Sequence, residues 1–132
     1  MEFSLSAGLT SEKKELVTTL NTAIAYGSGG LSVYATPAMI GLMEGAALSA
    51  VDPLLPSGFA TVGTRVEINH LAATPIGMTV SANAELVAVE GRKLIFNVTA
   101  FDEKEKIGEG RHERFIIDCA KFSAKTTQKI SC

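Results

Sequence analysis

Residues 36–51, Thr-Pro-Ala-Met-Ile-Gly-Leu-Met-Glu-Gly-Ala-Ala-Leu-Ser-Ala-Val, form an apolar stretch with a single charge, Glu44. The stretch predicts a helix. Thr36 is placed to cap it, and Pro37 suits a first turn whose N–H has no intrahelical partner. Asp52-Pro53 ends it, because proline disfavours helical geometry in the preceding residue. Apolar or small residues occupy every face instead of one stripe, the pattern of a helix covered on all sides by protein. A lone carboxylate in such a helix must be paired, protonated or catalytic, since burying it unsatisfied is costly.

The chain beyond the helix must supply the cover. From Phe59 to Leu71 it alternates, with Val62, Thr64, Val66, Ile68 and His70 on one face, and Thr61, Gly63, Arg65, Glu67 and Asn69 on the other. Residues 73–77, Ala-Thr-Pro-Ile-Gly, form a turn. Alternation resumes over 78–89, with Val80, Ala82, Ala84, Leu86 and Ala88 sharing a face. Glu90-Gly91 is a two-residue turn into residues 92–101, where Leu94, Phe96, Val98 and Ala100 align. A charged turn at 102–106 leads into a last strand over 107–122.

Ahead of the helix, the β-branched residues of 13–20 favour a strand, and 21–26 suit a helical turn or irregular chain. Residues 1–11 have little pattern and are expected to be frayed. Strand, helix, then four strands on short connections imply an antiparallel sheet. The expected fold is α+β, a hotdog arrangement in which one antiparallel sheet wraps around one central hydrophobic helix, as a single domain over residues 1–132. The exposed sheet edges predict pairing into a homodimer, with a dimer of dimers as the next step.

With 132 residues, 46% hydrophobic and a net charge of −2, the chain can bury a core and carries no electrostatic footprint for nucleic acid. It has no apolar run long enough to cross a membrane. The start, Met1-Glu2-Phe3-Ser4-Leu5, lacks the basic flank and apolar run of a signal peptide, so a cytoplasmic location is expected. Cys119 and Cys132 have neither disulfide-framework nor zinc-site spacing and read as incidental.

Four short strings stand in a common register: Thr36-Pro37 with Glu44 eight residues on, Val62-Gly63-Thr64, residues 69–77 (Asn-His-Leu-Ala-Ala-Thr-Pro-Ile-Gly), and residues 108–114 (Gly-Glu-Gly-Arg-His-Glu-Arg). Together they resemble the hotdog thioesterases of the fluoroacetyl-CoA thioesterase-like family, over most of the chain to Phe122. The resemblance implies hydrolysis of an acyl-CoA thioester, with Thr36, Glu44 and His70 as the catalytic group and neither metal nor cofactor required. It also implies that the Gly63 backbone lies near the thioester, and that Arg114 pairs with the surroundings of Glu44 or with a coenzyme A phosphate. The fluoroacetyl-specific branch is expected to carry bulky aromatic residues as a lid over the acyl pocket, where this chain has Gly27-Ser28-Gly29-Gly30. This difference implies a more open entrance and an acyl range not restricted to fluoroacetyl-CoA.

The residues themselves fit this chemistry. A thioester carbonyl needs an attacking oxygen, a group to manage its proton, and donors for the oxyanion. Glu44 would attack directly or act as base on water, His70 would manage protons near neutral pH, and Thr36 would orient the carboxylate or the carbonyl. Each residue also has a structural reading. Thr36 is a cap, His70 a strand-end residue, Glu44 a partner for Arg114 or Arg65, and Gly63 the mark of a bulge; His112 and Arg114 belong to a polar sheet face. Two other functions share the fold. A hydroxyacyl-thioester dehydratase also uses a histidine with a carboxylate, and a non-catalytic acyl-CoA binding module would need no closure over its ligand.

Overall fold

The computed structural model describes residues 3–130. Five strands form one antiparallel sheet in the order β1-β3-β4-β5-β2: β1 (Thr10–Leu16), β2 (Phe59–His70), β3 (Thr79–Glu90), β4 (Lys93–Phe101) and β5 (Lys106–Asp118). A short α1 (Ala23–Tyr26) and the long α2 (Thr36–Val51) lie between β1 and β2. The hotdog arrangement and the helix bounds are as the sequence predicts. Residues 52–54 add a 3-10 turn.

α2 packs on the concave face of the sheet through Met39, Met43, Ala46, Ala47 and Val51, against a floor that includes Val80, Ala82, Ala84, Leu94, Phe96 and Ala100. Each fully buried large side chain of this kind contributes about 1.5–3 kcal/mol. Small residues on both surfaces bring helix and sheet close. At Gly108 of β5 a Cβ would lie 2.5 Å from Met39 Sδ, so that glycine makes the seat for the helix. One chain covers only this side of α2. Pro37, Gly41 and Leu48 on its other side are exposed, Leu48 by 40%, which corrects the expectation of a helix covered all round. A single sheet layer can bury only one side of a helix.

The N-terminal expectation is also corrected. Phe3, Leu5 and Leu9 pack against the core, Phe3 meets Phe59 edge to face at 5.4 Å, and the Arg92 guanidinium sits over both rings. Hydrogen bonds from Gly8 N and Leu86 N tie this segment to β3, and β1 starts at Thr10 instead of Lys13. At the other end, β5 stops at Asp118, whose carboxylate accepts from Lys121 N and caps an unforeseen α3 (Cys119–Thr127). Cys119, a free thiol, opens that helix; Cys132 lies outside the described residues.

Bulges change two of the predicted faces. The β2–β5 register shifts between Gly63 and Arg65. Thr61 and Gly63 therefore face α2 before the bulge, and Val66, Ile68 and His70 face it afterwards, as their β5 partners Ile116, Arg114, His112, Gly110 and Gly108 show. In β3 a shift between Leu86 and Ala88 turns Ala88 off the core face and puts Val89 opposite Leu94. The β3–β4 hairpin turns on Gly91-Arg92, with Gly91 in left-handed geometry at φ 66°, one residue later than expected.

Candidate active site

Thr36 does not cap α2. Ala35 occupies the cap position without a side-chain bond, and Thr36 is the first helical residue. Its hydroxyl instead lies 2.7 Å from Nδ1 of His70, the last residue of β2. Nε2 of the same ring is buried with no hydrogen-bond partner. Burial holds the imidazole below its ordinary range, against a smaller upward pull from the Ala72 backbone, so the ring is neutral at pH 7. A neutral imidazole bonded to a hydroxyl can take or give a proton.

This pair lies in the wall of an open cleft of about 390 Å³, together with Ser28, Tyr34, Ala72 and Ala73. The stretch after His70 is strapped in place. Leu71 N donates to Ile107 O, Tyr34 N donates to Thr74 O, and the buried Thr74 hydroxyl donates to Asp102 Oδ2 at 2.8 Å. Asp102 also accepts from Lys104 N and Glu105 N, which fixes the β4–β5 turn beneath the cleft. The Tyr34 hydroxyl bonds the Glu15 carboxylate of β1; burial first, and then that bond, push its pKa far above the ordinary phenol value. Tyr34 stays neutral. Ser28 is the member of the glycine-rich run that reaches the cleft wall, and Gly27 ends α1 at φ 70°.

Glu44 stands elsewhere. Eight residues separate it from Thr36 on α2, about 12 Å along the axis at 1.5 Å per residue. Its half-buried carboxylate lies over Gly63, where a Cβ would come within 2.7 Å of Oε2, 3.2 Å of His112 Cε1 and 3.4 Å of Arg114 Nη1. Among the described residues Glu44 makes no hydrogen bond and no ion pair with Arg114 or Arg65. Arg65 pairs instead with Glu67 at 2.8 Å and Glu113 at 3.3 Å on the outer face. Gly63 thus marks both a bulge and a close approach, here by a carboxylate.

Beneath Glu44 runs a network of residues that alternation alone assigns to a polar sheet face. Arg114, 5% exposed, donates from Nε to Thr61 Oγ1 at 2.8 Å and from Nη2 to Thr61 O at 3.0 Å. Thr61 Oγ1 in turn donates to Asp52 Oδ1 at 2.5 Å, and Thr61 N donates to Asp52 Oδ2. Arg114 Nη1 lies 3.1 Å from His112 Nε2, and His112 Nδ1 lies 2.8 Å from Arg65 O. A guanidinium can only donate, so Nε2 accepts and Nδ1 carries the proton. His112, 1% exposed, is held below the ordinary imidazole range mainly by burial. Burial also lowers Arg114, which Asp52 and Glu44 pull back up. Of the two partners expected for Arg114, the surroundings of Glu44 lie near the buried guanidinium.

The structure therefore brings Thr36 to His70, and Glu44 to Gly63 and Arg114, in two clusters. Asp52, Thr61 and His112 join the second cluster. Their signal was the alternation Gly108-x-Gly110-x-His112-x-Arg114, in which Gly108, the seat of the helix, shares a face with the polar pair.

Comparison with known proteins gives the family. The model of the fluoroacetyl-CoA-specific thioesterase family matches residues 17–120. A fluoroacetyl-CoA thioesterase from Streptantibioticus cattleyicolor is 48% identical over 97 residues, 74% of this chain and 70% of that one. A solved structure of the fluoroacetyl-CoA thioesterase FlK superposes with a TM-score of 0.90 at 39% identity, covering 96% of this chain and 98% of the other. A hot-dog-like protein from Thermanaerovibrio acidaminovorans, at 24% identity and TM-score 0.87 over 96% and 93% of the two chains, bears on the fold alone. On the family match and the identity to the Streptantibioticus enzyme, the chain belongs to the fluoroacetyl-CoA-specific thioesterase family and is a hotdog-fold acyl-CoA thioesterase.

Proposed function

We propose that the two clusters are halves of one thioester-hydrolysing site completed by a second copy of the chain, and that the acyl range extends beyond fluoroacetyl-CoA. The observation that carries the reading is the half-buried Glu44 carboxylate, which has no hydrogen-bond partner among the described residues and lies about 12 Å along α2 from the Thr36–His70 pair. β2 is an edge strand, and the open side of α2 beside it presents Gly41 and Leu48. Antiparallel pairing of two β2 edges about a two-fold axis midway along residues 63–70 sets His70 of one copy opposite Gly63 of the other. The same operation covers both unpaired edges and both open helix sides.

In such a site Thr36 and His70 of one copy face Glu44 of the other across the thioester. The carboxylate attacks the carbonyl to form an anhydride, or takes the proton of an attacking water; coenzyme A leaves as a thiolate that needs little acid assistance. Thr36 and His70 hold the carbonyl side and manage protons. Water is the only co-reactant this chemistry uses, so no cofactor is assigned. Single turnover in 18O-water detects an anhydride that water opens at the Glu44 carbonyl: the first product acid then has unlabelled carboxylate oxygens and Glu44 carries the label, whereas direct attack of water on the thioester labels the acid and leaves Glu44 unlabelled.

The acyl range rests on Gly27 to Gly30, whose one residue in the cleft wall is Ser28; the aromatic ring that lines the cleft, Tyr34, lies outside that run. Among the described residues no helix is long and apolar enough to cross a membrane, and we read the enzyme as cytoplasmic. The test is thiol release from fluoroacetyl-CoA and from short, medium and aryl acyl-CoAs. Release from several of them at comparable kcat/KM is expected, and release from fluoroacetyl-CoA alone would overturn the broader range.

A further inference from the structure

We propose that His112 is a positioning residue for thioester hydrolysis, holding the Arg114 guanidinium at the Glu44 carboxylate by accepting a hydrogen bond at Nε2. The inference rests on the reading of Glu44 as the reacting carboxylate. Arg114 has five N–H groups. Nε and Nη2 are tied to Thr61, whose hydroxyl is tied to Asp52, so one edge of the guanidinium is fixed to the start of β2. The remaining nitrogen, Nη1, is the one that faces Gly63, where a Cβ would stand 3.4 Å from it and 2.7 Å from Glu44 Oε2, and among the described residues its bond is to His112 Nε2 at 3.1 Å. Without that acceptor, rotation about the guanidinium bonds is checked on one edge alone.

The ring is itself fixed on every side. Nδ1–H donates to Arg65 O of β2, and Phe96 of β4 stacks on it with centroids 6.2 Å apart and planes at 29°. The charged groups facing it are Glu44 from α2 and Arg114 and Glu113 from β5, with Asp52 acting on Arg114 from the far side. Protonation of Nε2 would put two donors face to face and remove the anchor. The depressed imidazole keeps the accepting form in place through neutral pH.

The test compares wild type, His112→Phe, His112→Gln and Glu44→Ala in thiol release across pH, with the wild-type ring 15N shifts read by NMR. Phenylalanine keeps the ring and its stacking but has no acceptor; the glutamine carboxamide oxygen can accept from Nη1. Loss of the anchor should lower kcat by about tenfold to a hundredfold, as expected for a displacement of about 1 Å at a reacting group, with KM within about threefold. His112→Gln should recover kcat to within about threefold of wild type, and its kcat should fall less on the acid side. NMR should show the Nδ1–H tautomer.

Wild-type kcat in His112→Phe, or a folded His112→Gln as slow as His112→Phe, would overturn the proposal. So would an Nε2–H tautomer in the wild type, which decides the matter even if the phenylalanine variant does not fold. Full activity in Glu44→Ala would instead remove the underlying reading; an inactive Glu44→Ala beside a fully active His112→Phe removes this inference alone.

Discussion

The hydroxyl of Thr36 lies 2.7 Å from Nδ1 of His70, in the place where a helix cap was expected. Because the hydroxyl caps nothing, its removal should cost activity and little stability. Thr36→Ala is expected to shift the denaturation midpoint by less than the equivalent of about 0.5 kcal/mol, as for a surface substitution. Thiol release should fall by at least about tenfold, with Thr36→Ser retaining most of it. Urea melts and kinetics on the same preparations check both halves.

Gly63→Ala tests the close approach of Glu44. The new methyl would stand 2.7 Å from Oε2, so the carboxylate must move. That atom is the end of a flexible side chain, but His112 Cε1 at 3.2 Å belongs to a fixed buried ring, so the expected destabilisation is about 1–2 kcal/mol, within the range for overpacking. Hydrolysis should fall by about a hundredfold, the effect of misplacing a reacting group by about 1 Å. An alanine variant with wild-type kcat would show that the position of Glu44 is not critical.

Arg114→Leu tests the network for its structural weight. It leaves Thr61 and His112 without their buried donor, takes the neighbouring positive charge from Asp52, and is expected to cost about 3 kcal/mol. Arg114→Lys should not restore stability, because a single ammonium cannot reproduce three bonds in a fixed fork. Denaturant midpoints at constant m-value are the measurement.

Stability should also fall on the acid side of neutrality. His70 and His112 are both held below the ordinary imidazole range, chiefly by burial. The unfolded chain therefore binds protons more readily than the folded one. The stabilisation is complete above about pH 6.5 and is lost as pH falls from there toward the lower folded values. Urea midpoints between pH 8 and pH 5 should decline, and His112→Gln should flatten part of the decline.

Much of this was legible in the chain. The bounds of α2 came through because its apolar run is flanked by Pro37 and Asp52-Pro53, and β3 and β4 because their alternation is regular. β2 was misread across Gly63, since one extra bulge residue exchanges the two faces and leaves no compositional trace. Phe3 looked frayed because its partners, Phe59 and Arg92, are distant in sequence. Within the site, the family resemblance pointed to Thr36, Glu44 and His70, but not to one chain holding them in two places. For His112 and Arg114 alternation gave a polar sheet face, and only the resemblance singled out Arg114, because alternation reports a face and not what covers it; only Gly108 hinted that a helix lies there.

The most direct measurement is thiol release by Glu44→Ala and Thr36→Ala, each alone and after subunit exchange between them. A site shared between two copies predicts that both variants are inactive alone and that the mixture recovers about a quarter of wild-type activity, because half of the random dimers then carry one intact site of two. Wild-type release by either variant alone would contradict the assignment of these residues to the reaction. Two inactive variants whose confirmed mixed dimers stay inactive would contradict the shared site.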